Sequence, residues 1–236
     1  MRIDKFISEL GAASRKDASR IARAGGVTVN GVPVRDLSAH IDPDRDVVTL
    51  QGRELTYKKF VYVMLNKPEG YVSATEDSKL PVVTELLPEE LQARGLFPVG
   101  RLDRDTVGLM ILTNDGTLAH RVLSPRHHVE KVYRFECAVP MKDGAEERFK
   151  NNITLADGYE CKSAILVCDD DRLGGYITLT EGKYHQIKRM VASQDNRVTY
   201  LERVTFAGIS LDKSLSRGEW RELTADEASL LKSAAE

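Results

Sequence analysis

A chain of 236 residues with 42% hydrophobic and 30% charged side chains has the apolar content for one large or two unequal globular units. None of its apolar stretches approaches the roughly 18 residues that span a bilayer. The formal charge of −2 argues against a generally basic nucleic-acid binder, but residues 1–35 hold seven Lys/Arg against three acidic residues.

Three cysteines, Cys137, Cys161 and Cys168, have no paired spacing, which predicts reduced thiols. The first residues, Met1-Arg2-Ile3-Asp4-Lys5, lack the apolar core of a signal peptide, so a cytoplasmic location is expected.

In chain order, Ile3, Phe6, Ile7 and Leu10 fall at helical spacing and Gly11 ends that run. Ser14-Arg15-Lys16-Asp17 has the form of a capping box. It predicts a second helix from Ser14 to about Ala24, stopped by Gly25-Gly26. Val27–Val29 and Val32–Val34 flank Asn30-Gly31, a strong hairpin signal. On the second helix Ala18, Ile21 and Ala22 face a core, whereas Lys16, Arg20 and Arg23 share another face. Such a stripe can track phosphates; from pattern alone a solvated helix face explains it equally well.

Phe60 to Leu65 reads as a strand ending at the turn Asn66-Lys67-Pro68-Glu69-Gly70. Gly100-Arg101-Leu102-Asp103-Arg104-Asp105-Thr106-Val107-Gly108-Leu109 sets two carboxylates between arginines and runs into the apolar stretch Val107–Leu112. That predicts a tight loop feeding a buried strand. A carboxylate held there beside arginines is a candidate nucleophile or base, and an Asp–Arg network closing the loop is the plainer reading.

A short helix is predicted from Asn114-Asp115-Gly116 to Ser124. Lys131–Val139 alternates, with Tyr133, Phe135, Cys137 and Val139 on one face. Further strands are expected at Tyr176–Thr180 and Val198–Phe206, and helices at Tyr184–Gln194 and Ala225–Ala234. Mixed short strands and few helices argue for an α+β fold with a largely antiparallel sheet. There is no glycine-rich phosphate loop ending in Gly-Lys-Ser/Thr and no Gly-x-Gly-x-x-Gly, which argues against ATP or NAD chemistry. His120, His127, His128 and His185 have no metal-ligand spacing, so solvated or hydrogen-bonded histidines and no metal are expected.

Residues 1–58 resemble an S4 RNA-binding module through Arg2-Ile3-Asp4-Lys5-Phe6, Ser14-Arg15 and Gly26-Val27-Thr28-Val29-Asn30-Gly31. Residues 59–236 resemble the catalytic domain of the pseudouridine synthases. Lys67-Pro68-Glu69-Gly70, Gly100–Asp103, Lys131-Val132-Tyr133 and Glu181–Met190 carry that likeness, in the family's order. Ser124–Lys131 and Thr180–Met190 look most like the ribosomal small-subunit branch, which acts on 16S rRNA.

The resemblance implies isomerisation of one uridine in 16S rRNA, without metal or organic cofactor. Spacing leaves Asp103 and Asp105 equivalent; the family motif makes Asp103 the nucleophile, attacking C1′ of the sugar or C6 of the base. Asp105 is then a loop residue paired with Arg104. Tyr133 stacks on the uracil with its hydroxyl near C5, although a core tyrosine fits the same alternation. Lys188, following His185-Gln186-Ile187, pairs with Asp103. Arg101 and Arg104 hold phosphates of the extruded nucleotide, and Arg15, Lys16, Arg20 and Arg23 bind RNA from the small module.

The expected partner is 16S rRNA, free or in an assembling small subunit, with no membrane, no obligate protein partner and a monomeric enzyme. The rivals are a sister enzyme acting on 23S rRNA, a non-catalytic S4-type assembly factor, and a metal-dependent nuclease built on Asp103 and Asp105.

Overall fold

The structure is a computed structural model and describes residues 1–151 and 153–236. Two compact units emerge: Met1–Val61 with Leu87–Leu96, and Tyr62–Leu86 with Phe97–Glu236. The sequence predicts a single boundary, after residue 58. The structure differs in assigning the excursion Leu87–Leu96 to the first unit, a segment whose short helix Glu89–Gln92 buries no residue and left no periodic signal.

In the first unit, α1 (Ile3–Glu9) turns its Ile3, Phe6 and Ile7 inward. α2 (Arg15–Arg23) starts at Ser14, whose side chain accepts a hydrogen bond from the Asp17 amide, as the sequence predicts. A cap of this type stabilises a helix by about 1 kcal/mol. Ala18 and Ala22 are the buried residues of α2, and small side chains there let α1 and its core close in. β1 (Val27–Val29) and β2 (Val32–Pro33) form the expected hairpin, with φ of 51° at Asn30 and 80° at Gly31. Two positive φ values in a two-residue loop are what a type I′ turn requires, and Asn-Gly supplies them at low strain. β3 (Val48–Leu50) and β4 (Arg53–Leu55) complete a sheet of order β2-β1-β3-β4. These two strands are three residues each, too short to show alternation in the sequence. α3 (Glu89–Gln92) is the remaining helix of this unit.

The second unit is built on a nine-stranded sheet. Its elements are β5 (Tyr62–Lys67), β6 (Phe97–Pro98), β7 (Val107–Thr113), α4 (Gly116–Leu123), β8 (Lys131–Cys137), α5 (Ala145–Lys150), β9 (Ile165–Cys168), β10 (Gly174–Leu179), α6 (Gln186–Ala192), β11 (Val198–Phe206), β12 (Ile209–Ser210), β13 (Trp220–Glu222) and α7 (Ala225–Ser233). The order is β13-β5-β7-β11-β8-β10-β9, with β6 beside β7 and β12 beside β11. Every pairing is antiparallel except β7 with β11, in keeping with the expected α+β, largely antiparallel fold.

All seven residues of β7 are buried, which explains why it reads as a continuous apolar run rather than as an alternation. Met64, Leu109 and Ile111 pack with Leu118, Ala119 and Val122 of α4 and with Leu231 of α7. Each such buried aliphatic side chain contributes about 1.5–3 kcal/mol. Asp115 caps α4 by accepting from the Leu118 amide at 3.0 Å, and Thr224 and Glu227 form a reciprocal capping box on α7.

β8 buries Tyr133, Phe135 and Cys137, but the strand ends there and Val139 is exposed, so the expected alternation runs two residues too far. The predicted helix from Tyr184 is also shorter: α6 begins at Gln186, because His185 adopts a left-handed backbone with φ of 49°.

Candidate active site

The loop between β6 and β7 is closed by a hydrogen bond from the Thr106 amide to the Asp103 carbonyl, 3.1 Å, and carries Asp103 on a tight turn. Ser73 fixes the residue before it from both sides: its hydroxyl donates to the Leu102 carbonyl at 2.7 Å and accepts from the Leu102 amide at 3.0 Å. Lys67, fully buried at the end of β5, supports the far side of the turn. Its Nζ donates to the carbonyls of Pro68 (3.0 Å), Arg104 (3.2 Å) and Thr106 (2.8 Å). Burial lowers the Lys67 ammonium to about 8, against the pull of Asp105, Asp103 and Glu69. Three carbonyl dipoles thus meet one ammonium with three donors, and the backbone beside Asp103 is tied to the sheet.

α6 brings the opposing charge. Lys188 Nζ lies 3.2 Å from Asp103 Oδ2 and 2.5 Å from Asp105 Oδ1. Burial works against charge at both Lys188 and Asp105, but their mutual hydrogen bond and attraction prevail. The lysine is held above its ordinary value and the Asp105 carboxyl below the usual carboxylate range. The expected Asp105–Arg104 pair does not form. Asp105 turns to Lys188, and Arg104 Nε instead donates to the Gly70 carbonyl at 3.2 Å.

His185 is the histidine that reaches the site. Its Nε2 sits 3.7 Å from Asp103 Oδ1, half-buried, and its ring stacks on Tyr184 at 3.8 Å between centroids. The segment before α6 is braced by Gln186. Its Nε2 donates to Glu181 at 2.6 Å and its Oε1 accepts from the Lys183 amide at 2.9 Å.

These groups line a cavity of about 580 Å³ with Tyr133, Leu179, Leu201, Arg101 and Arg104. Tyr133 is buried from β8 yet reaches the wall, so it serves core and cavity together. Burial pushes its phenol upward, and Arg203 pulls the other way. Asp103, Tyr133 and Lys188 therefore share one space, with Arg101 and Arg104 exposed at its edge. Arg15, Lys16, Arg20 and Arg23 lie exposed on α2 of the first unit, where Arg20 pairs with Asp17 at 3.0 Å. Among the described residues no group of three or more His, Cys, Asp or Glu is placed to hold a metal ion. No helix among them is long and apolar enough to cross a membrane.

Sequence reasoning passed over three supports of this site. Lys67 appeared only as part of a turn; the signal was a lysine closing a six-residue apolar strand. His185 belongs to the motif Glu181–Met190, but its place beside Asp103 follows only from the left-handed backbone before α6. Arg203 lies on the same alternating face of β11 as the buried Leu201, a charge where the period demands an apolar residue.

A carboxylate against a lysine, a tyrosine lining the same cavity, and basic groups at its edge suit chemistry on an extruded nucleotide. Comparison with known proteins gives the class. The chain belongs to the RNA pseudouridylate synthase family, which its residues 61–193 match, and residues 1–47 match the S4 domain. It is 43% identical over 235 residues to an uncharacterized RNA pseudouridine synthase, YtzG, of Bacillus subtilis, covering 98% of each chain. It is 41% identical over 230 residues to ribosomal small subunit pseudouridine synthase A of Escherichia coli, covering 96% of this chain and 98% of that one. A crystal structure of a pseudouridylate synthase superposes with a TM-score of 0.69 at 36% identity, over 98% of this chain and 99% of the other.

Proposed function

We propose that this protein converts one uridine of 16S rRNA to pseudouridine, with Asp103 as the nucleophile. The observation that carries the reading is the Asp103 carboxylate on a braced turn, 3.2 Å from Lys188, in a cavity that Tyr133 also lines. The likeness to a small-subunit enzyme across 96% of the chain supports 16S rRNA as the substrate.

The target nucleotide leaves its stack and enters the cavity, and Arg101 and Arg104 hold its phosphates. Asp103 attacks at C1′ or at C6, and the bond from C1′ to N1 breaks. Lys188 orients the carboxylate and offsets charge as it is redistributed. The detached base turns within the cavity against Tyr133, C5 bonds to C1′, the bond from Asp103 to the carbon it attacked breaks and returns the free carboxylate, the C5 proton leaves to the Tyr133 oxygen, and N1 gains a proton. Product and substrate are isomers, so the balance requires no oxidant and no donated group. The S4 unit supplies RNA affinity through Arg15, Lys16, Arg20 and Arg23. The enzyme works as a monomer in the cytoplasm, on RNA free or in an assembling subunit.

The test uses 16S and 23S rRNA transcripts made with uridine tritiated at C5. The purified protein releases tritium from the 16S transcript in buffer containing EDTA and no cofactor. Release from 23S alone moves the substrate to the other subunit. Release from neither, with RNA still bound, leaves a binding factor in place of an enzyme.

A further inference from the structure

Arg203 is the largest fully buried side chain among the described residues, and it has no carboxylate partner among them. A lone guanidinium in a sheet interior is costly unless its donors are used. Nε donates to the Leu109 carbonyl at 2.8 Å, and the guanidinium carbon lies 4.7 Å from the centre of the Phe206 ring. β7 approaches the Arg203 backbone closely at Gly108, φ +97°, where a Cβ would stand 2.4 Å from the Arg203 carbonyl oxygen. Nη2 lies 4.0 Å from the Met110 sulfur, a weak acceptor, and Tyr133 stands beside Arg203 on the neighbouring strand. The two residues are cross-strand partners in the β8–β11 register, on the same face of the sheet, and both are buried.

We propose that Arg203 is a positioning residue for the isomerisation: it donates to the Tyr133 phenol oxygen from behind, turns the hydroxyl toward the cavity and favours the phenolate that receives the C5 proton. This rests on the reading of Tyr133 as the group facing C5. A guanidinium has donors only, so the phenol oxygen accepts from it and its own proton points the other way. The positive charge opposes the upward push of burial on the phenol.

Other charges meet this pair from each neighbouring element. Asp103 faces Tyr133 from the β6–β7 loop and disfavours the phenolate, but Lys188 and His185 from the α6 side bind that carboxylate. Lys131, two residues earlier on β8, is tied to the Val129 carbonyl at 2.7 Å. On the β10 side the partner is Ile177, which is apolar. In the proton balance, the hydroxyl gives its proton to water in the open cavity, the phenolate takes the proton from C5 once C5 is bonded to C1′, and N1 takes one from water.

The test compares wild type, Arg203→Met and Arg203→Gln, with Tyr133→Phe as the reference. Ultraviolet titration of tyrosinate in the free protein, read as the difference from Tyr133→Phe, follows Tyr133 alone. Arg203→Met is expected to move that transition up by a pH unit or more. It should shift the ascending limb of the kcat profile with it, toward higher pH, and lower kcat at neutral pH about 10- to 100-fold with KM unchanged. Arg203→Gln, a neutral donor, should fall between. If Arg203→Met does not fold, Arg203→Lys, which keeps a cation and loses the fork, carries the same comparison. A folded variant with the Tyr133 transition and the pH profile both unmoved overturns the proposal. Full turnover by Tyr133→Phe would instead end the reading of Tyr133, while the titration still reports whether Arg203 holds it.

Discussion

The two units use positive charge in opposite ways. On α2, Arg15, Lys16, Arg20 and Arg23 stand exposed to solvent, Arg20 in an exposed pair with Asp17. In the catalytic unit, Lys67 and Arg203 are buried and Lys188 is largely so, each held to named oxygens. Exposed charges act together over a Debye length and are screened by salt; no single one fixes geometry. Buried charges act through position, and each has few substitutes. The contrast teaches where single substitutions should be fatal and where only their sum should matter.

The largest effect belongs to Asp103. Asp103→Ala should lower tritium release by at least about 10³-fold, as expected when a covalent nucleophile is removed. A loss that merely tracks weaker RNA binding would erase the distinction between the units. Next is Lys188→Met, which leaves Asp103 and Asp105 side by side without their cation. A drop in kcat of roughly 10²-fold is expected from the lost orientation. Lys188→Arg should recover part of it, read in the same assay.

Lys67→Met releases the turn from β5 and should reduce kcat about tenfold or more with binding preserved. Its stability signature has a definite sign. Lys67 sits near 8 in the fold against 10.5 ordinarily, so between those values the unfolded chain binds more protons. Wild type should gain stability relative to Lys67→Met as pH rises through that window, by up to about 3 kcal/mol in denaturant titrations. A pH-independent difference would show that the ammonium is not held as the geometry implies.

On the exposed side, replacing Lys16, Arg20 and Arg23 together with Gln should weaken rRNA binding about tenfold and flatten the salt slope by about two to three. At saturating RNA kcat should not change. An unaltered slope would make the stripe an ordinary solvated face. The smallest effect is Ser14→Ala, which removes the α2 cap and should cost about 1 kcal/mol in thermal unfolding with turnover intact.

How much of this was legible in the sequence follows from the range of each interaction. The hairpin at Asn30-Gly31, the cap at Ser14 and the buried run of β7 are local, and their residues announce them. The Asp103–Lys188 pair was legible only through a family motif, because 85 residues separate partners that the sheet brings together. The Asp105–Lys188 contact was not read at all, since Arg104 is nearer in sequence and the turn points it elsewhere. Lys67 and Arg203 look like surface residues to a composition rule, and only the strand pairing shows what their donors reach. The short strands β3, β4, β12 and β13 had no period to reveal them.

The sharpest measurement takes one preparation of Asp103→Asn, which keeps the shape of the side chain and removes its charge, through two readings on C5-tritiated 16S rRNA. Filter binding should match wild type within about twofold, and single-turnover release at saturating protein should be absent. Release at the wild-type rate would contradict a nucleophilic role for Asp103 and, with it, the mechanism assigned to this cavity.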